Sequence, residues 1–564
     1  MEQARWGQLS AASQEVRSAI AGVREELGIP DSYPPEVLAQ AADAANRLPN
    51  PADYVDRRDL PFVTIDPASS LDLDQAVYIE RRYAPSVEEP NGVSKPERRQ
   101  VGYRVYYAIA DVAFFVDPGT TLDAEVNERG LTAYGPDQRF GLHPPALSEN
   151  AASLLPDQDR PAALWTINLN NKGKIVKAKV QRAIVRSRAK LSYDQVQKFL
   201  ENGDTSAGAG DTTPIPDGAH ESLKLLKEVG LLRQAVERKR GGVSMEVPDQ
   251  EIEEDVDGDF NLSYRKTLPV EGWNAQISLL TGMAAAKMMA DEGVGILRTL
   301  PPASTQDLRR MRATARALGL DWPKKENYAE FLRKLDPSNP KAAAFMSRAT
   351  TLFKGAGYLA FDHQGNMNRE DAAEVDEQGG VGVGEHEQLT IAASSGTNLN
   401  TERRHSAIAA EYAHVTAPLR RLVDRYGTEI CLAHTAHKPV PQWVLDKLPA
   451  LPAEMAAAYR VSHKYERKCA DVVEASLLEN RIGEVFDGVV VDTVKRGPDK
   501  PILRGDVMLA DPAVIARIDS PDGGAERQRE AKPAPVPLVL GEPVRAKLVD
   551  VNVAEGKVRF EAVA

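Results

Sequence analysis

The stretch from Phe62 to Glu80 restricts the fold more than any other part of the chain. It reads Phe62-Val63-Thr64-Ile65-Asp66, then Pro67-Ala68-Ser69-Ser70-Leu71, then Asp72-Leu73-Asp74-Gln75, and ends in Ala76-Val77-Tyr78-Ile79-Glu80. β-Branched and aromatic residues at both ends predict two strands, so three aspartates must share the connection between them. Asp72 and Asp74 lie on one side of an extended chain, because strand side chains alternate with a period of two. Pro67, Ser69 and Ser70 permit a turn that returns Asp66 toward them. Carboxylates gathered in this way repel one another unless a cation or a proton sits among them. Hard oxygen donors suit Mg²⁺ or Mn²⁺, with a substrate phosphate completing the shell. Spacing alone leaves a second reading open, a solvated polar loop. A calcium loop of the EF-hand kind is excluded, since counting from Asp72 puts Val77 and Tyr83 where glycine and glutamate are needed.

Further strands are predicted over Val101–Ala110, Trp165–Leu169 and Ile175–Val185, with the polar Pro85–Arg99 as a hairpin insertion. Helices then dominate. Leu223, Leu226, Val229 and Leu232–Val236 form an apolar stripe that stops at Gly241-Gly242, and Ser304 to Asp307 opens a helix that Gly319 closes. A long helix is expected from about Pro452 to Ile482. Glu201–His220 and Glu370–Gln388 read as loops, being rich in glycine and acid. The first 50 residues read as short helices broken at Gly28-Ile29-Pro30, either a nucleic-acid-reading module or a packing appendage. Beyond residue 484 come the β runs Val485–Val491, Val544–Val551 and Val558–Phe560, split by the Pro/Gly-rich Asp519–Pro537. A strand-rich segment of this length suits an OB-type barrel, a common single-strand binder.

Composition narrows the function. Two cysteines, Cys431 and Cys469, give neither a disulfide framework nor a CxxC zinc pattern. No signal-like N-terminus and no run of 18 apolar residues is present, so the expectation is a cytoplasmic protein that does not enter a membrane. A net charge of −12 argues against coating duplex nucleic acid, yet is compatible with a narrow basic channel, because only the local field acts on a threaded strand.

The acidic segment and four further motifs together resemble the ribonuclease II/ribonuclease R exoribonucleases. The family signature, T-I-D, five residues, then D-x-D-D-A, is met by Thr64-Ile65-Asp66 and Asp72-Leu73-Asp74-Gln75-Ala76. Tyr107–Val112, Leu131-Thr132-Ala133-Tyr134, Leu191–Val196 and Tyr412–Arg421 follow in the family's order. The resemblance covers roughly residues 60–480. With the helical N-terminal region (1–52) read from the residues, it implies an α+β chain with an RNB-type catalytic domain (53–483) and a C-terminal OB-type RNA-binding barrel (484–564). It also implies 3′→5′ hydrolysis of single-stranded RNA to nucleoside 5′-monophosphates, with Mg²⁺ (or Mn²⁺) in a two-metal site and the protein acting as a monomer. By the same resemblance Asp66, Asp72 and Asp74 hold the metals, with Gln75 as a fourth ligand through its carbonyl. Asp74 and Arg420 carry catalysis. Tyr134 stacks on the 3′-terminal base, Tyr193 lies at the sugar edge, and Met245, Arg420, Arg421 and Glu466 complete the RNA contacts. Pro418 suits the first turn of a helix, so Arg420 is expected to join the amides of that turn in a phosphate clamp. Taken alone, Arg420 could equally form a surface ion pair with Asp424 four residues on.

The chain also departs from the pattern. Gln75 replaces the fourth aspartate, Met245 an aromatic, Ala275-Gln276 a pair of glutamates, Ala417 a serine and Leu422 a tyrosine. The first 52 residues are too short and too helical for the two cold-shock barrels usual at this end. Two other functions therefore stand beside an active exoribonuclease: an RNA-binding protein with a decayed nuclease site, and a DNA-directed phosphodiesterase.

Overall fold

Alternation of apolar side chains gives the central sheet two covered faces. Along Asp159–Asn170, Ala162 and Leu164 enter one apolar cluster with Phe62, Leu73 and Ala108, whereas Ala163, Trp165 and Ile167 enter a larger one shared with the helices. The computed structural model describes residues 11–84, 99–210, 212–243, 249–254, 260–265, 267–336, 339–363, 367–371, 403–493, 502–509, 511–520 and 536–563. Six strands build the sheet: β1 (Val55–Asp56), β2 (Phe62–Asp66), β3 (Gln75–Tyr83), β4 (Gln100–Ala110), β5 (Asp159–Asn170) and β6 (Ile175–Ser192). Their order is β1-β6-β2-β3-β4-β5. The 18-residue β6 pairs antiparallel with β5 along its first part, Arg186 opposite Asp159, and parallel with β2 at its end, Ser192 opposite Asp66. The sheet thereby closes on itself.

That closure fixes the site. β2 and β6 stop side by side, and Ser192 caps helix α3 through a reciprocal bond with Gln195, which makes Tyr193 its first residue. Numbered after the N-terminal α1 (Ala11–Leu27) and α2 (Pro35–Ala45), the principal helices are α3 (Tyr193–Asn202), α4 (His220–Arg240), α5 (Pro269–Glu292), α6 (Leu422–Ala436) and α7 (Leu451–Leu478). Helices α4 and α5 approach closely at Gly230, where any side chain would collide with Trp273. The 201–220 loop is pinned: the Gln195 amide donates to the carbonyls of Ser206 (2.8 Å) and Thr213 (2.6 Å), and helix α4 begins at His220. Glu370 and Asp371 end a strand, Met367–Asp371, paired with Gly357–Phe361. The rest of that expected loop, the insertion after Ala84 and Met245 lie outside the described residues.

Helix α7 is shorter than expected. It ends at Leu478, which sits in the core of the C-terminal barrel, and Glu479–Arg481 form a 3₁₀ turn. The barrel strands are β7 (Val485–Thr493), β8 (Arg504–Leu509), β9 (Ile515–Asp519), β10 (Pro543–Asn552) and β11 (Lys557–Val563), closed in the order β7-β8-β9-β11-β10. Only β9 and β11 run parallel, which is the OB arrangement. The sequence pattern marked three of the five; β8 and β9 are short and carry Arg504, Asp506, Arg517 and Asp519 among their apolar residues. The fold is thus α+β, with N-terminal helices, a sheet-and-helix body and a five-stranded barrel. Among the described residues no helix is long and apolar enough to cross a membrane.

Candidate active site at the acidic loop

The loop between β2 and β3 is held by its backbone. Leu73 is fully buried, its amide donates to Ser153 Oγ (3.0 Å), and its carbonyl accepts from the Leu154 amide (3.0 Å). With Leu73 committed to the apolar side, Asp72 and Asp74 turn to the other. Asp74 is 5% exposed; Oδ1 accepts from the Leu419 amide at 2.8 Å, and Oδ2 lies 3.7 Å from Arg420 Nε. Burial pushes its carboxyl well above the usual range, with Asp72 adding to the shift while Arg420 and the Leu419 amide oppose it. Asp66 ends β2. Its Oδ2 is enclosed and has no hydrogen-bond partner among the described residues, although the residue as a whole is half-exposed. Burial, and then Asp72, raise its pKa to about 7 against the pull of Arg420 and Lys190.

Two distant segments bring the other groups in. The Thr132 amide donates to the Arg420 carbonyl (3.1 Å), the Leu422 amide to the Gly130 carbonyl (2.9 Å), and Leu131 bridges Arg421. This pairing sets Tyr134, 40% exposed, within electrostatic reach of Arg420, Asp72 and Asp74. Burial and the neighbouring Asp72 push the Tyr134 hydroxyl up to about 12. Arg420 presents a guanidinium whose side chain is 45% exposed. It does not belong to a helix: Pro418 to Arg420 form a turn, Arg421 is the N-cap of α6, and the Leu419 amide is taken by Asp74. The expected clamp of helix amides around Arg420 is therefore absent.

Several expected roles meet a different geometry. Arg421 is locked inside the protein, its Nε and one terminal nitrogen 2.8 and 2.9 Å from the two oxygens of the fully buried Asp424, which also takes the Ala417 amide (2.7 Å). One edge of the Arg421 guanidinium is thus committed to Asp424, while Arg420 pairs with Asp74 instead of Asp424. Gln75 is likewise engaged. Its amide donates to the Thr416 carbonyl (2.7 Å), while its carbonyl accepts from the Tyr107 hydroxyl and, at 3.4 Å, from Ser278. The Tyr107 bond occupies the carbonyl and the Thr416 bond the amide, so Gln75 braces the site between two segments. Glu466 is exposed and accepts from Ser462 on its own helix (3.1 Å), with no contact to the acidic group. Tyr193 does arrive, beside Asp66, with its hydroxyl 3.5 Å from the Asn274 amide.

Sequence reasoning missed two cations. Lys190 is buried opposite Thr64 and acts on Asp66. Arg139 bridges Asp72 (2.6 Å) and Glu149 (2.7 Å). The alternating basic residues of β6 carried a signal for Lys190. Nothing local marks Arg139, because its partner Asp72 is 67 residues away.

The donor chemistry fits a hard divalent cation at Asp66 and Asp74: a buried carboxylate oxygen without a partner among the described residues, and two carboxyls destabilised by burial and by the neighbouring Asp72. One oxygen of Asp72 is held by Arg139, and among the described residues no three metal-binding side chains already converge.

The RNB-domain family model matches residues 54–433. Ribonuclease R of Escherichia coli (strain K12) is 24% identical over 482 residues, 82% of this chain and 52% of that protein. Inactive exonuclease DIS3L2 of Arabidopsis thaliana is 30% identical over 279 residues, 47% of this chain and 24% of that protein. Among solved structures, Mycoplasma genitalium RNase R in complex with ribose-methylated single-stranded RNA has the same fold, with a TM-score of 0.75 at 19% identity, covering 97% of this chain and 78% of that one. The chain spans about half the length of the first curated relatives it matches.

Proposed function

From the premise that the chain belongs to the RNB family of ribonuclease II and ribonuclease R, we propose that it hydrolyses single-stranded RNA from the 3′ end, releasing nucleoside 5′-monophosphates. The supporting observation is the pairing of residues 130–132 with 420–422, which brings an exposed tyrosine and an accessible guanidinium to the acidic loop that carries Asp72 and the buried Asp74. Asp66, Asp72 and Asp74 would hold Mg²⁺ or Mn²⁺, which supplies charge neutralisation at the phosphate and a more acidic attacking water. Arg420 neutralises the phosphate oxygens as charge develops on them. Tyr134 stacks on the terminal base irrespective of its identity, and the Tyr193 hydroxyl meets the sugar. Residues 53–483 carry this chemistry in our reading, and 484–564 grip the strand upstream.

A second reading, an RNA-binding protein without nuclease activity, is favoured by one observation: Gln75 and Asp72 are both held by protein partners. Incubation of 5′-labelled poly(A) with Mg²⁺, beside DNA of equal length, separates the two. A ladder shortening from the 3′ end on RNA alone supports the nuclease. Retarded but intact RNA supports the binder, and equal shortening of both substrates points to a phosphodiesterase indifferent to the sugar.

A further inference from the structure

The N-terminal helix is packed against the part of the protein that carries Tyr134. Val16, Ile20 and Val23 of α1, spaced three and four apart, are buried in one cluster with Ala133, Phe140 and, from α7, Tyr465, Cys469 and Val472. Ala133–Tyr134 and Arg139–Phe140 form a small hairpin in which Tyr134 faces Arg139, closed by a bond from the Gly135 amide to the Gln138 carbonyl (2.9 Å). Gly135 packs so tightly on the Tyr465 hydroxyl that a Cβ would collide with it.

One turn beyond Ile20, Arg24 reaches this hairpin. A terminal nitrogen lies 2.9 Å from Asp137 Oδ2, with both side chains little exposed (13% and 11%), and the guanidinium stands 5.2 Å from the centre of the Phe140 ring. Its Nε holds the exposed Asp31 (3.1 Å). The other oxygen of Asp137 is buried and has no hydrogen-bond partner among the described residues. Arg24 is thus the cation that makes a carboxylate tolerable inside the hairpin turn. On its far side the hairpin is tied by Arg139 to Asp72 and Glu149. Behind it lies a cavity of about 870 Å³, lined by Ala133, Phe140, Leu131 and Tyr33 among others, so the hairpin has room to shift when a tie is lost.

We infer that Arg24 is a positioning residue for the 3′-terminal nucleotide: through Asp137 it fixes the hairpin, and the hairpin fixes the ring of Tyr134. Without Arg24 the Asp137 carboxylate is left buried and unpaired, and the turn relieves this by moving toward water. This rests on the proposed stacking role of Tyr134.

The test uses the full chain and an RNA oligomer with 2-aminopurine at its 3′ end, bound without divalent metal so that no cleavage occurs. Stacking on Tyr134 quenches the fluorescence. Arg24→Met is expected to lose at least about half of the quench and to raise KM for a short oligomer about tenfold, with kcat changed less than about threefold. Adding Asp137→Asn removes the orphan charge and should restore both, and Arg24→Lys should retain most of the quench. Wild-type quench and KM in Arg24→Met overturn the inference. So does a defect that Asp137→Asn leaves in place, which would make Arg24 a general stabiliser. Tyr134→Ala with undiminished quench overturns instead the stacking role itself, and the inference with it.

Discussion

The C-terminal barrel and the central sheet are both closed β structures, and they treat charge in opposite ways. In the barrel the buried positions are Phe486, Val490, Val507, Leu509, Ile518, Ala546, Leu548 and Phe560, while Arg545 and Lys547 alternate outward. The sheet and its helices bury Asp74, Asp111, Lys190, Asp424, Arg425 and Glu429. A fold needs no such groups for stability, since a buried ion pair scarcely recovers its desolvation. Buried charges of this kind make the sheet and its helices sensitive to pH and to single substitutions in a way the barrel is not.

The sharpest division between the two should come from Asp74→Asn. Removing the carboxylate is expected to lower kcat by at least about a thousandfold, roughly 4 kcal/mol, while the dissociation constant for a single-stranded oligomer changes less than about twofold. The asparagine oxygen still accepts from Leu419, and a strained buried charge is gone, so the melting temperature of the metal-free protein should not fall. Retention of a tenth of the turnover would break the assignment. Gln75→Asp comes next. The family pattern alone predicts tighter Mg²⁺ binding, but the structure predicts the reverse of a gain: the shorter side chain loses the Thr416 and Tyr107 bonds, and kcat/KM should fall by about ten- to thirtyfold. A magnesium titration of both proteins decides it, and a lower half-saturating Mg²⁺ with undiminished rate would show that Gln75 is no brace. On the barrel, Arg545→Glu with Lys547→Glu should weaken binding of a long RNA by about tenfold at low salt and leave cleavage of a short oligomer unchanged. Equal affinity, measured by filter binding, would remove the barrel from the RNA path.

The smallest effect concerns pH. Arg182 is shared between Asp111 (2.9 Å) and Glu429, and burial, aided by Asp111, raises the Glu429 pKa to about 7. A carboxyl raised on folding binds its proton more tightly in the native state, so stability is lost as pH rises from the ordinary glutamate range through 7. Calorimetry of the metal-free protein should show a melting temperature lower at pH 8 than at pH 5 by about 2–4 °C, and Glu429→Gln should reduce the difference, leaving the share of Asp66 and Asp74, which are raised in the same direction.

What was legible in the sequence is what local pattern encodes. The strands around Asp66 and Asp74, the Ser304 cap, the Gly241 stop and three of the barrel strands follow from alternation, capping and turn chemistry. Tyr134, Tyr193 and Arg420 came from motif order, and they do converge. The failures are of another kind. Arg421 and Gln75 carry side chains of the right chemistry, but Arg421 is taken by Asp424 three residues on, whereas the partners of Gln75, namely Thr416, Tyr107 and Ser278, are set by packing between segments far apart in the chain. Glu466 lies on a helix whose buried face is read by Tyr465 and Cys469, one position earlier and three later, which leaves the glutamate outside. Arg139 and Arg24 had no signal at all, because an ion pair across 67 or 113 residues leaves no local period to find.

The chemistry of the products tests the central claim most directly. Unlabelled single-stranded RNA incubated with the protein and Mg²⁺, sampled over time and resolved by mass spectrometry, should yield nucleoside 5′-monophosphates from the first time point together with RNA shortened at its 3′ end. The same incubation with Asp74→Asn should yield neither. Internal fragments, nucleoside 3′-phosphates, or monophosphates at an undiminished rate from Asp74→Asn would contradict the account.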